Sequence, residues 1–130
     1  MTAPGDNHEE VSDYETQARE FLGMAWDFLA AGNLHQASEK GWGAASHMAK
    51  AVAVAQGWQY GNHAEFSNVM YQARQLTGNP RFRQLRGVAN ELHLNYYKRK
   101  RNLNAGEIRE DLEEVVELLE ILHPLTGLAR

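Results

Sequence analysis

The fold is decided by residues 34–55, which read LHQASEKGWGAASHMAKAVAVA. Apolar or small residues recur along this stretch at intervals of three and four, which is the periodicity of one helix face. That face consists of Leu34, Ala37, Gly41, Ala45, Met48, Val52 and Ala55. Because small side chains let neighbouring helices approach closely, the stretch predicts a helix at the centre of a helical core.

Segments on both sides of this helix carry the same helical periodicity, and none alternates as a half-buried strand does. Glycine, asparagine and proline separate the segments. The predicted helices cover about 9–31, 34–55, 63–77, 80–101 and 107–123. The sequence therefore predicts an all-α protein, an antiparallel four- to five-helix up-and-down bundle with short connections. Its single domain is expected to span 9–125, between a flexible N-terminal tail at 1–8 and a C-terminal tail at 126–130.

The composition of the 130 residues excludes several classes of protein. There is no cysteine, so disulfides, thiolate nucleophiles, zinc fingers and iron–sulfur clusters are excluded. No apolar run approaches the roughly 20 residues of a transmembrane helix, and the N-terminus lacks the features of a secretory signal. A lone Glu-x-x-His motif, at Glu120 and His123, falls short of the ligand set of a di-iron bundle. We therefore expect a cytoplasmic protein with no metal, no cofactor and no membrane association.

Positive charge is concentrated in residues 74–101, which hold eight of the 13 lysines and arginines and a single acid, Glu91. This segment carries a formal charge of +7, although the whole chain carries −4. Such asymmetry indicates an anionic partner, unless the segment only neutralises the acidic helices packed beside it. The sequence leaves these two interpretations open. The candidate basic patch consists of Arg81, Arg83, Lys98, Arg99, Lys100 and Arg101.

A polar stripe runs along the fourth predicted helix, at the edge of its core face. The stripe consists of Arg86, Asn90, His93 and Tyr97, and the core face of Phe82, Leu85, Ala89, Leu92 and Tyr96. A neutral histidine can move a proton near pH 7, and an arginine can hold a phosphate with two parallel hydrogen bonds. Together they have the chemistry for RNA cleavage without a metal. The alternative is a structural arginine paired with a carboxylate and a histidine packed at a helix interface.

Two stretches carry a family resemblance. Residues 36–45, QASEKGWGAA, and residues 89–97, ANELHLNYY, resemble signature segments of PaREP1-like helical proteins, which are similar to a branch of the HEPN superfamily. The resemblance covers about 14–125 and implies a helical bundle that forms homodimers. Many HEPN proteins are metal-independent ribonucleases of toxin–antitoxin or defence systems. Their motif is an arginine followed, after four to six residues, by a histidine, and Arg86 and His93 match its longest spacing.

The sequence therefore predicts a homodimer that binds RNA or a nucleotide. Metal-independent RNA cleavage is its candidate activity, and an antitoxin-type protein is a further candidate partner. Arg86 and His93 are the candidate catalytic residues. The candidate substrate-binding residues are Asn90, Tyr97, Glu39, Lys50 and His47. Trp58 and Tyr60 either stack on a base or cover one end of the bundle. The alternative function is a non-enzymatic interaction module that lacks nuclease activity.

Overall fold

The computed structural model describes residues 4–129, which form helices and turns and contain no strand. The five α-helices are α1 (Pro4–Ala30), α2 (Leu34–Gln56), α3 (His63–Thr77), α4 (Arg81–Leu94) and α5 (Ala105–Leu122). Short 3₁₀ turns follow α4 at Asn95–Tyr97 and Lys100–Asn102, and another follows α5 at His123–Thr126. The predicted all-α bundle is confirmed.

Helix α2 lies at the centre of the bundle and contacts each of the other four helices. Its small residues make this possible, most clearly at Gly41. A Cβ atom at Gly41 would lie 2.6 Å from Cδ2 of Leu112 in α5 and 3.1 Å from Cδ1 of Leu92 in α4. Helices α4 and α5 therefore pack against the α2 backbone itself, as the small-residue face predicts.

Local capping sets the two ends of α3. The Asn62 side chain accepts a hydrogen bond from the Glu65 backbone N–H (3.1 Å), and Glu65 Oε1 accepts one from the backbone N–H of Gly61 (3.0 Å). These contacts satisfy backbone donors that the first helical turn leaves without a partner. At the other end, Gly78 adopts a left-handed conformation (φ +73°) that residues with a Cβ rarely adopt. The observed bounds of α3 match the predicted helix.

Helix α4 ends at Leu94, so the prediction that it continues to Arg101 is wrong. Two contacts with α2 hold the following chain in 3₁₀ turns. The buried Asn95 amide donates to Ser38 Oγ (3.0 Å), and His35 Nε2 donates to the carbonyl oxygen of Lys98 (2.7 Å). The sequence predicts Tyr96 on the core face of the helix. The turn instead rotates Tyr96 away from the core and leaves 59% of the residue exposed.

The chain ends differ from the predicted tails. Helix α1 begins at Pro4, so residues 4–8 belong to a helix rather than to the predicted flexible tail, and residues 1–3 lie outside the described part. Near the C-terminus, Thr126 is buried, and its hydroxyl donates to the carbonyl oxygen of His123 (2.6 Å). The same hydroxyl accepts from the backbone N–H of Leu128 (3.1 Å). The ordered turn therefore extends beyond the predicted boundary at residue 125.

Candidate functional site

A hollow of about 280 Å³ lies between α3 and α4, and we call it the arginine hollow. Arg74 lines it from α3, and Arg83 and Arg86 line it from α4. The rest of the lining consists of Ser67, Met70 and Tyr71. Residues 67, 71 and 74 are spaced by four and three, so they share one face of α3. The hollow forms where this face meets the edge of α4.

Positive charge in the arginine hollow is not balanced locally. No carboxylate is among its lining residues, and none of its three guanidinium groups forms an ion pair within residues 4–129. Like charges gathered at one place repel each other, and a bound anion relieves that repulsion. The arrangement can therefore hold a phosphate group, for which guanidinium is the best matched side chain.

The arginine hollow continues toward the middle of α4. Arg86 also lines a neighbouring hollow of about 280 Å³, together with Phe66, Ser67, Gly87 and Asn90. A Cβ atom at Gly87 would have no other atom within 4 Å, so the absence of a side chain leaves this hollow open. The structure thus brings together Arg86 and Asn90, as the predicted stripe requires, and adds Ser67 from α3.

His93 lies one turn further along α4, among aromatic rings. Its ring centroid is 4.8 Å from that of Trp42 in α2 and 6.2 Å from that of Tyr97. His93 is half-buried, whereas Tyr97 is 73% exposed. His93 is absent from the linings of both hollows that contain Arg86. Arg86 and His93 therefore share an edge of α4 without sharing a hollow, and Tyr97 stays beside His93 although it lies beyond the helix.

The predicted substrate-binding residues of α2 lie elsewhere. His47 faces α1, where its ring centroid lies 4.9 Å from that of Phe21. Its Nδ1 donates to the carbonyl oxygen of Gly43, one turn earlier in α2 (2.8 Å). Burial lowers the pKa of His47, and the charge of Lys50 lowers it further, against the opposing effect of the Gly43 hydrogen bond. The structure does not bring His47 to the arginine hollow.

Lys50 occupies another hollow, at the α1 side of α2. Its ammonium group lies 6.0 Å from the ring centroid of Tyr14 and 5.7 Å from that of Tyr60. These are cation–π contacts within the bundle. The side chain of Glu39 forms no hydrogen bond or ion pair with any residue of the described chain. Lys50 is therefore not placed at the arginine hollow, and Glu39 is absent from the lining of that hollow.

The predicted basic patch divides into parts with different surroundings. Arg81 faces α5, where Nε and Nη2 donate to the two carboxylate oxygens of Glu117 (2.8 and 2.7 Å) and Nη2 lies 3.6 Å from Glu114. Hydrogen bonding by Arg81 lowers the pKa of Glu117. Lys98 pairs with Glu91 (2.5 Å). Arg81 therefore neutralises acids of the neighbouring helix α5, whereas Lys98 pairs with the single acid of the basic segment itself.

The other members of the patch remain exposed. Arg99, Lys100 and Arg101 lie in the connection between α4 and α5 rather than on α4 itself. Only Arg83 belongs to the arginine hollow. The patch is therefore not one continuous surface along a helix.

Sequence analysis missed, as site residues, the four residues of α3 that line the arginine hollow, which are Ser67, Met70, Tyr71 and Arg74. Arg74 was counted in the basic segment, and its spacing from Ser67 and Tyr71 is visible in the sequence. What the spacing does not reveal is which face of α3 meets α4. That depends on how both helices pack against α2.

His123 of the Glu-x-x-His motif has a structural role in the bundle. His123 is buried, and its Nδ1 lies 2.8 and 3.0 Å from the two carboxylate oxygens of Glu15 in α1. Among the residues that the structure describes, no group of three or more histidines and acids is arranged to hold a metal ion. None of the helices formed by residues 4–129 has the length and apolar character that crossing a bilayer requires.

Comparison with known proteins identifies the family. The chain belongs to the archaeal PaREP1/PaREP8 family, whose model matches residues 13–119. This range extends from α1 into the last turn of α5 and contains the three arginines of the arginine hollow. The resemblance to PaREP1-like proteins is thus confirmed. A search of curated proteins found no significant match.

Proposed function

We propose that this protein binds RNA, and that the arginine hollow holds the RNA phosphates. The observation that supports the proposal is that Arg74, Arg83 and Arg86 line one hollow with no carboxylate among its lining residues. A guanidinium group offers two parallel donors to a phosphate, and three such groups attract a chain of phosphates more strongly than one. This role fits a HEPN-like bundle that acts in the cytoplasm.

Neighbouring groups support RNA over an isolated phosphate ion. The Ser67 hydroxyl and the Asn90 amide lie beside Arg86 in the adjoining hollow. Hydroxyl and amide groups donate to phosphate and ribose oxygens, and they also accept from the ribose 2′-hydroxyl. The exposed connection with Arg99, Lys100 and Arg101 adds positive charge beyond the end of α4.

Binding is tested by fluorescence anisotropy with a labelled single-stranded RNA over a series of salt concentrations. Removing one phosphate contact from single-stranded nucleic acid reduces the slope of log K against log [salt] by about 0.7. We expect this reduction for each of Arg74→Gln, Arg83→Gln and Arg86→Gln. The matched control is Arg109→Gln, because Arg109 is an exposed arginine of α5 that is absent from the lining of the arginine hollow. Equal slopes in all four variants and wild type would contradict the proposal.

RNA cleavage is a second candidate function, favoured by the continuity of Arg86, Asn90 and His93 along one edge of α4. Two helical turns separate Arg86 from His93, so the arginine would hold a phosphate while the histidine acts at the adjacent ribose. In this proposal His93 takes the proton of the 2′-hydroxyl or returns one to the leaving oxygen. Arg86 stabilises the charge that develops on the phosphoryl oxygens.

Cleavage is tested with mixed RNA in EDTA. We expect His93→Ala to remove the activity, while His8→Ala keeps it, because His8 is an exposed histidine of α1. Salt-sensitive RNA binding without cleavage in wild type would leave the binding function and discard the nuclease. A homodimer that binds no RNA would favour the alternative, an interaction module that pairs with an antitoxin-type protein.

A further inference from the structure

A second hollow lies on the other side of α3, next to the loop that precedes this helix. Its volume is about 350 Å³, at the lower end of the range for small-molecule sites, which is about 300–1,000 Å³. Three of its lining residues carry side-chain amides, and we call it the amide hollow. The lining consists of Gly57, Trp58, Gln59, Glu65, Asn68, Tyr71 and Gln72.

Tyr71 is the residue that the two hollows share. On α3, residues 67 and 74 lie to one side of Tyr71 and residues 68 and 72 to the other, as the helical period requires. Its ring therefore stands on the ridge between the arginine hollow and the amide hollow. Tyr71 is 61% exposed, so a face of the ring is available to a ligand.

The amide hollow contains hydrogen-bond donors and acceptors that are available to a ligand. Within the described chain, the amides of Gln59, Asn68 and Gln72 form no hydrogen bond with other residues. Trp58 is half-buried and packs against the hydrophobic core, so it forms a fixed wall. Glu65 already accepts from the backbone of Gly61, and this contact ties the loop to α3.

We propose that Tyr71 and the amide hollow bind one unpaired base of a single-stranded RNA whose phosphate lies in the arginine hollow. The inference rests on the proposed RNA-binding function and adds a base subsite to it. Tyrosine stacks on the face of any base, whereas side-chain amides pair with the edge of a particular base. Tyr71 thus supplies affinity, and Asn68 and Gln72 supply preference for one base.

The subsite selects single-stranded over double-stranded RNA. In a duplex the faces of the bases are stacked on each other, and the edges that an amide would read are paired or lie in a deep groove. Only an unpaired base can leave the stack and lie against Tyr71. The protein therefore binds a single-stranded 12-mer more tightly than a duplex of the same length.

The test compares affinities for single-stranded 12-mers of A, U and C and for a duplex, measured by anisotropy. We expect Tyr71→Ala to weaken single-strand binding by about 5- to 150-fold, the range that corresponds to loss of one stacked base. Tyr71→Phe keeps the aromatic face and retains the affinity. The double variant Asn68→Ala with Gln72→Ala reduces the difference in affinity among the three homopolymers. Tyr71 and Asn68 are exposed and Gln72 is half-buried, and thermal melting verifies that each variant is folded.

The matched control is Leu76→Ala, since Leu76 is an exposed residue of α3 that is absent from the linings of both hollows. Unchanged affinity in Tyr71→Ala and unchanged preference in the double variant would overturn the base subsite. If Arg86→Gln still weakens binding in that case, RNA binding by the arginine hollow stands. Equal affinity of wild type for duplex and single strand also overturns the subsite. No binding of any RNA by wild type overturns both proposals.

Discussion

On one side of helix α4, Arg81 pairs with Glu117 and Glu114 of α5, whereas Arg83 and Arg86 face α3, where Arg74 adds a third guanidinium group. The first arrangement closes an ion pair between two helices. The second leaves three cations around an open hollow. Residue type is the same on both sides, so the difference shows that the helix face, and not the number of charges, separates an arginine paired with an acid from one that lines an open hollow.

The largest effect is expected from removing all three arginines of the arginine hollow. We expect the triple variant Arg74→Gln, Arg83→Gln and Arg86→Gln to bind single-stranded RNA more than 100-fold more weakly at low salt, with its salt slope reduced by about 2. Its melting temperature stays the same or rises, because mutual repulsion among the arginines is removed. Anisotropy and thermal melting check the two results. A marked loss of stability would mean that these arginines hold the helices together through contacts within the bundle.

The next effect concerns Gly41 of α2, against which both α4 and α5 pack. We expect Gly41→Val to destabilise the protein by about 2 kcal/mol, because its side chain would overlap Leu112 and Leu92. Chemical denaturation measures the change. Gly23→Val is the control, because a Cβ at Gly23 would have no other atom within 4 Å. Equal stability of the two variants would show that α2 does not set the positions of α4 and α5.

A smaller effect is expected on the acidic side, at Asp111 of α5. Burial raises the pKa of Asp111 to about 6, and the charges of Glu114 and Glu91 raise it further. Because the folded state then favours the protonated acid, ionisation of Asp111 destabilises the fold as pH rises from about 4 to 6. We expect Asp111→Asn to raise the melting temperature at pH 7 by a few degrees and to have no such effect at pH 4. A gain of equal size at both pH values would assign it to a cause other than charge.

The smallest effect is expected from the ion pair on the α5 side. We expect Arg81→Gln to lower the melting temperature at pH 7 by only about 2 °C, because the pair is partly exposed, and to leave RNA affinity unchanged. The lowered pKa of Glu117 means that the stabilisation is present above its ordinary value of 4.5 and disappears as pH falls through the lowered value. Melting of wild type and variant at pH 7 and pH 3 checks this. Weakened RNA binding in Arg81→Gln would remove the distinction between the two sides of α4.

Local signals in the sequence predicted the helices well, but two long-range contacts with α2 made the prediction wrong at the end of α4. The periodicity of residues 80–101 is helical, yet the buried hydrogen bond from Asn95 to Ser38 joins residues 57 positions apart. No local pattern reports such a contact. The same contact explains why Tyr96 is exposed although its spacing from Leu92 is that of a core residue.

The candidate site could be predicted only in part. The spacing of Arg86 and Asn90 follows from the helical period alone, and the structure places both at one hollow. The helical period does not reveal that Arg74 lines the same hollow as Arg83 and Arg86, because Arg74 lies on another helix. For the same reason His47 and Lys50, which lie close in sequence to the central face of α2, turn out to face α1 and Tyr60.

The sequence by itself determined the five helices and the central place of α2, because helix periodicity, caps and small residues act within a few residues of one another. Only the tertiary structure decided which arginines meet an acid and which meet each other. That outcome depends on the rotation of α3, α4 and α5 about α2, and the rotation is set by packing among residues far apart in the chain.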